Sequence, residues 1–288
     1  MNLKKLLIRT ASGAVYVALM VLGIFFPSLM TVLMCVVSML AIHEFCEMCS
    51  GPMDRVSEFL MMLSSFILFL MLILSNSPDS GYTTPMGTVF NVILLFPALV
   101  VAYMMITATA EMFRKRPCPI EQIGKGIFGM LWIIFPLGLL AATTYAFPQM
   151  ILMLLILIWA NDTFAYLGGS MFGKHKMFER LSPKKTWEGT ITGALFTLAL
   201  TFVCSRIPFF YENSILYAPY LWILFAVLVI VFGTVGDLLE SLFKRSADLK
   251  DSGHIMPGHG GMLDRFDSIF FAAIPICLLL FALFCSGF

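Results

Sequence analysis

Nine apolar runs, each near the length of a bilayer-crossing helix, follow one another along this chain with short polar stretches between them. A span needs about 20 predominantly apolar residues, with about 17–25 tolerated. On that template the runs fall near 11–27, 28–43, 57–76, 90–110, 125–146, 148–170, 189–205, 216–236 and 266–286. The first two are short and meet at Pro27-Ser28. Composition points the same way: of 288 residues, 60% are hydrophobic and 12% charged, against about 45–50% and about 25% in soluble domains. The expected fold class is all-α and polytopic, an integral membrane protein of about nine transmembrane helices.

Charge fixes an expected orientation. Seventeen of the eighteen Lys and Arg residues lie in the N-terminal tail and in 44–56, 111–125, 171–188 and 237–265, and only Arg206 lies on the other side. Basic residues collect on the cytoplasmic side of a membrane protein, so the N-terminus is expected inside, the C-terminus outside, and the chemistry at the cytoplasmic face. The N-terminus, with Lys4, Lys5 and Arg9 before an apolar run, is read as a retained span, since no convincing small-residue cleavage site follows. A net charge of +1 without a basic tail gives no support to nucleic acid as a partner.

The richest polar stretch runs over 237–267. Thr234, Asp237, Ser241 and Lys244 are spaced to share one helical face, flanked by Glu240 and Arg245. The eighth span is therefore expected to continue beyond the membrane as an amphipathic helix. Pro257-Gly258-His259-Gly260-Gly261 follows, glycine-rich enough for backbone N–H groups to approach a phosphate. Asp264, Arg265 and Asp267 come next, and carboxylates together with phosphate are the usual surroundings of Mg²⁺. Each charge taken alone reads equally well as an interfacial anchor; the density of acids, bases and glycines is what suggests a metal–phosphate site.

A second constellation spans the sixth run and the loop after it. Asp162, Ala165, Tyr166 and Gly169 share a face, which suits either a wet cavity or close helix packing. In the loop, Ser182-Pro183 has the pattern of a helix N-cap and first-turn proline. Lys184 and Lys185 would then stand at the positive end of a short helix, where phosphate binds well; an anchor role explains them too.

Two strings identify a family. Ser241-x-x-Lys244-Arg245-x₄-Lys250-Asp251-x-Gly253, followed by Pro257-x-His259-Gly260-Gly261-x-x-Asp264-Arg265-x-Asp267, resembles the signature of the phosphatidate cytidylyltransferases (CDP-diacylglycerol synthases). The one soft departure is Met256, apolar where the family also carries an apolar residue. Asp162-x-x-Ala165-Tyr166, Phe172-Gly173-Lys174 and Ser182-Pro183-Lys184-Lys185-Thr186-Trp187-Glu188-Gly189 are similar to two further family stretches. The resemblance covers the C-terminal half with specific motifs and residues 1–147 by hydropathy alone.

The resemblance implies a nucleotidyltransferase of phospholipid biosynthesis that joins CTP to phosphatidic acid, giving CDP-diacylglycerol and pyrophosphate. It implies Mg²⁺ (or Mn²⁺) on Asp237 and Asp264, with room for a second cation. Lys244, Arg245, Lys250, Asp251, Arg265 and Asp267 belong to the expected catalytic set. Asp162, Tyr166, Ser182, Lys184, Lys185, Ser241, His259, Gly260 and Gly261 belong to the substrate site. The chain is expected in the cell (inner or plasma) membrane, multi-pass, with a homodimer compatible with it. Residues 1–147 are expected to be scaffold and 148–288 the catalytic half, with loops 171–188 and 237–265.

Rival readings are a CTP-dependent polyprenol or phytol kinase and, further off, an anionic-lipid carrier. A carrier should place charges along several spans, and no internal repeat supports one. His43, Cys46 and Cys49 form a string without the second pair that tetrahedral zinc needs, and the odd count of seven cysteines argues against a disulfide framework.

Overall fold

A computed structural model describes residues 3–49, 53–76, 85–114, 118–212, 214–249, 252–253 and 260–286. The elements are helices α1 (Leu3–Phe25), α2 (Pro27–Met48), α3 (Arg55–Ser75), α4 (Pro85–Met112) and α5 (Pro119–Gly129), a π turn (Met130–Ile134), and α6 (Phe135–Ala146) and α7 (Pro148–Phe172). Strands β1 (Lys176–Phe178) and β2 (Ser182–Thr186) follow, then α8 (Trp187–Cys204), α9 (Pro208–Tyr211), α10 (Pro219–Ser246) and α11 (Leu263–Cys285). Proline opens α2, α5 and α7, where its missing N–H costs no hydrogen bond and its fixed φ suits the first turn.

Among the described residues, eight helical stretches are long and apolar enough to cross a membrane; Thr10–Phe25 of α1 is apolar but shorter. The all-α polytopic class therefore holds, and the chain is a multi-pass membrane protein. α5, the π turn and α6 make one apolar stretch, Pro119–Ala146. α10 runs ten residues past the expected end of its span, as the amphipathic extension requires.

The chain divides into two compact units. The first holds Met1–Ala146 and Ser246–Arg265, the second Phe147–Arg245 and Phe266–Phe288. The loop segment 246–265, expected with the catalytic half, thus groups with the N-terminal helices.

In the second unit, α7 and α8 pack through small residues. A Cβ on Gly189 would lie 2.6 Å from the Ala165 carbonyl oxygen, and one on Gly193 2.8 Å from that of Asn161. Backbones this close exclude any side chain, which is how small residues bring apolar helices together. Phe164 and Phe196 stack on the same interface at 4.2 Å between ring centroids.

Ser182-Pro183 does not cap a helix. Residues 182–186 form the second strand of an antiparallel hairpin instead, with Lys176 opposite Thr186 and Phe178 opposite Ser182. The cap belongs to Thr186, whose hydroxyl oxygen accepts from Gly189 N at 3.2 Å. Glu188 fastens the start of the hairpin to the first turn of α8: its carboxylate accepts from Lys174 N (3.1 Å) and His175 N (3.2 Å). Lys184 and Lys185 are therefore held on a strand beside the start of α8.

Candidate active site

The site is built within the second unit. α7, the hairpin and α10 enclose a cavity of about 390 Å³ lined by Asp162, Tyr166, Ser182, Lys184, Lys185 and Asp237, with Ala165 and Gly169 between them. Asp162 and Tyr166 stand one turn apart on α7, as their spacing predicts, and Lys184 and Lys185 enter from β2. A second cavity, of about 400 Å³, lies at the far ends of α8 and α10. Phe202, Tyr211, Tyr217 and Trp222 line it with Arg206, whereas the acids and lysines of the sequence strings gather at the first.

Lys185 Nζ sits 2.6 Å from Asp237 Oδ2 and 3.4 Å from the Thr234 carbonyl oxygen. Lys184, the neighbouring residue on an extended strand, is exposed. Glu240, one turn beyond Asp237, is buried and accepts from Lys244 Nζ at 2.8 Å. Asp237, Glu240 and Asp267 each offer a carboxylate oxygen within 4.8 Å of the others. α11 reaches α10 here because position 236 is glycine: a Cβ there would lie 2.5 Å from the Asp267 carbonyl oxygen. Ser241 is buried beside this group, and Arg245 Nε approaches the Leu181 carbonyl oxygen at 3.4 Å.

Three carboxylates this close repel one another unless a cation or a proton stands among them. Lys185 and Lys244 supply two positive charges, and three oxygen donors at this spacing suit a hard divalent ion. The donor set thus fits the expected metal, with a different membership from the sequence reading. Asp264 lies in the first unit, where its Oδ2 accepts from Ser252 N (3.0 Å) and Gly261 N (2.9 Å). Glu240, which the spacing places on the flank of that helical face, stands three residues after Asp237 and four before Lys244.

The glycine-rich loop is also put to a use the sequence did not suggest. Gly260 has φ +84°, a conformation L side chains rarely adopt, and its position faces Asp264. A Cβ on Gly261 would collide with Ser252 Oγ and come within 2.5 Å of Glu44 Oε2. Arg265 is exposed at the start of α11. Lys250, Asp251 and His259 lie outside the described residues.

His43, Cys46 and Cys49 do not converge on one point. His43 Nδ1 lies 2.8 Å from Glu58 Oε1. Burial pushes the Cys49 thiol above its ordinary pKa, with Lys125 pulling the other way, so its nucleophilic thiolate is scarce.

A multi-pass helical protein with a basic cavity opening on a carboxylate cluster is suited to phosphate chemistry on a membrane substrate. The model of the cytidylyltransferase family matches residues 7–284, and the chain belongs to that family. It is 38% identical over 157 residues to a phosphatidate cytidylyltransferase of Rickettsia conorii, covering 53% of this chain and 68% of that protein. With the enzyme of the same name from Rickettsia typhi it shares 39% over 151 residues, 51% of this chain and 66% of the relative. With that of Staphylococcus aureus strain COL it shares 45% over 132 residues, 45% of this chain and 48% of the relative. The aligned stretches span about two thirds of the rickettsial proteins and about half of the staphylococcal one.

Proposed function

We infer that the protein condenses CTP with phosphatidate, giving CDP-diacylglycerol and pyrophosphate. The observation that carries this reading is the single cavity that joins the Asp162–Tyr166 wall, the Lys184–Lys185 strand and the Asp237 end of α10; the first two belong to stretches that resemble the family. A phosphatidate oxygen attacks the α-phosphorus of CTP, a new P–O–P bond forms, and the α–β phosphoanhydride bond breaks. The attacking oxygen is already ionised near neutral pH, so no side chain has to remove a proton. Alignment and charge neutralisation are what the reaction needs.

Lys184 and Lys185 supply positive charge at the cavity, and Lys244 and Arg245 follow on α10. Asp162 and Tyr166 shape the wall toward the lipid. Asp237, Glu240 and Asp267 would hold a divalent cation, Mg²⁺ or Mn²⁺, which would supply charge neutralisation at phosphoryl oxygens. Asp264 stays in the proposed catalytic set on the resemblance alone, its Oδ2 accepting from Ser252 N and Gly261 N within the first unit. The side of the membrane is the cytoplasm, supported by the seventeen-to-one division of basic residues, and the membrane is the inner or plasma membrane. Homodimer formation belongs to the same proposal, and sedimentation of detergent-solubilised protein tests it.

The deciding assay uses purified protein, phosphatidate in detergent, and CTP labelled on either the α- or the γ-phosphate. The α-label is expected in a lipid with the mass of CDP-diacylglycerol, and the γ-label in pyrophosphate. A lipid carrying the γ-label would show a CTP-dependent lipid kinase instead. The carrier reading loses ground because the charges gather at one end of α8 and α10.

A further inference from the structure

Glu44, near the end of α2, has a side chain buried to 1% exposure. A carboxylate withdrawn from water is costly unless donors meet it, and here three do. Oε1 accepts from Met262 N at 2.8 Å; Oε2 accepts from Leu263 N at 2.9 Å and from the Ser252 hydroxyl at 3.2 Å. All these residues belong to the first unit.

The donors belong to the segment that carries Asp264. The successive N–H groups of Gly261, Met262 and Leu263 go to two carboxylates, the first to Asp264 and the next two to Glu44. Ser252 links the pair, its N–H to Asp264 and its O–H to Glu44. The unsatisfied N–H groups at the start of α11 thereby receive negative charge, which the positive end of a helix favours. Two glycines make room for it: a Cβ on Gly253 would lie 2.6 Å from Glu44 Oε1, and Gly261 is hemmed in likewise. Both glycines belong to the string that resembles the family signature, so a residue of the N-terminal half explains part of that string.

We propose that Glu44 is a positioning residue for the reaction: it fixes Ser252 and the first turn of α11, and so the placing of Asp264 and Arg265. It touches no substrate. This inference rests on the cytidylyl-transfer reading above. Charge-assisted acceptance by both oxygens is the feature needed, and glutamine, with one oxygen and an NH₂ group facing three donors, cannot supply it.

The test is steady-state kinetics of the full-length protein in detergent, with Glu44→Gln, Ser252→Ala and, as control, the exposed Glu47→Gln. Thermal stability is measured alongside. The expected result for Glu44→Gln is a rise of tenfold or more in half-saturating Mg²⁺ and in KM for CTP, with KM for phosphatidate within twofold of the parent. Ser252→Ala, which removes one hydroxyl bond and keeps the N–H, should move half-saturating Mg²⁺ the same way by about threefold; it carries the test if Glu44→Gln fails to fold. Glu47→Gln should match the parent. A lowered melting temperature with unmoved Mg²⁺ and CTP constants would show a brace without a positioning role and overturn the proposal. A parent protein without cytidylyl transfer overturns the functional reading and this inference together; an active parent with unmoved variants overturns this inference alone.

Discussion

Lys185 Nζ and Asp237 Oδ2 meet at 2.6 Å across 52 residues of sequence, tying the hairpin ahead of α8 to the membrane-exit end of α10. The pair is half-buried, with side-chain exposures of 18% and 35%, so it is shielded from water more than an ordinary surface salt bridge. It brings one stretch that resembles the family to a residue four positions ahead of the other. Lys185 holds Asp237, and its residue lines the cavity a polyphosphate would enter.

Lys185→Gln is therefore expected to reduce kcat/KM for CTP by more than tenfold. A charge-assisted hydrogen bond is worth about 1.5–3 kcal/mol, and about 1.4 kcal/mol corresponds to a factor of ten. Lys184→Gln, on the exposed neighbour, should have a smaller effect. Equal kinetics in parent and Lys185→Gln would reduce the pair to a structural tie.

Glu240 and Lys244 allow structural and catalytic roles to be separated. Their side chains are 1% and 13% exposed, and removing one partner of a buried ion pair costs about 3–5 kcal/mol. Glu240→Gln should lower the melting temperature and raise half-saturating Mg²⁺. Glu240→Gln combined with Lys244→Met removes both charges and should recover much of the stability without recovering turnover. Recovered turnover in the double variant would take Glu240 out of the proposed metal site. Chelation by EDTA should abolish activity in the parent, with Mg²⁺ or Mn²⁺ restoring it.

The apolar runs made the helices legible because a bilayer leaves a chain few ways to satisfy its backbone. The spacing of Asp237, Ser241 and Lys244 likewise foretold the extension of α10. What spacing could not show was pairing across the chain. Ser182-Pro183 has helix-start chemistry, yet Thr186 and Glu188 win the cap because the hairpin gives Lys176–Phe178 a partner. Glu240 read as a flank because its role depends on Asp267 arriving opposite Gly236. Glu44 stands near the end of the second run, where nothing local reveals donors more than two hundred residues away.

Orientation can be read by labelling in a cysteine-free background. Replacing all seven cysteines, Cys46 and Cys49 included, is expected to leave most of the activity, since their thiols take no part in the proposed site. In that background Asn76→Cys should react with an impermeant maleimide applied outside intact cells, and Lys174→Cys only after permeabilisation. The reverse pattern would put the cavity on the side away from CTP.

The sharpest comparison sets Asp264→Asn against Asp248→Asn. Asp264 gives Oδ2 to the N–H groups of Ser252 and Gly261. An asparagine amide oxygen can accept both of those bonds, so the variant should keep the loop, insert and melt near the parent temperature. What it loses is charge next to the start of α11. If that charge serves the reaction, turnover falls to a small fraction of the parental rate while the protein stays intact. Asp248 is exposed and occupies one of the unspecified positions of the matching string, with φ at 54°. Asparagine is among the residues that tolerate that left-handed region best, so Asp248→Asn should behave like the parent in stability and rate. The control separates a specific need for Asp264 from a general loss of negative charge along 237–267, which would slow both variants alike. Asp264→Asn retaining more than about a tenth of parental kcat/KM, less than about 1.4 kcal/mol of lost transition-state stabilisation, would leave Asp264 as a helix-start acceptor and confine the chemistry to Asp237, Glu240 and Asp267.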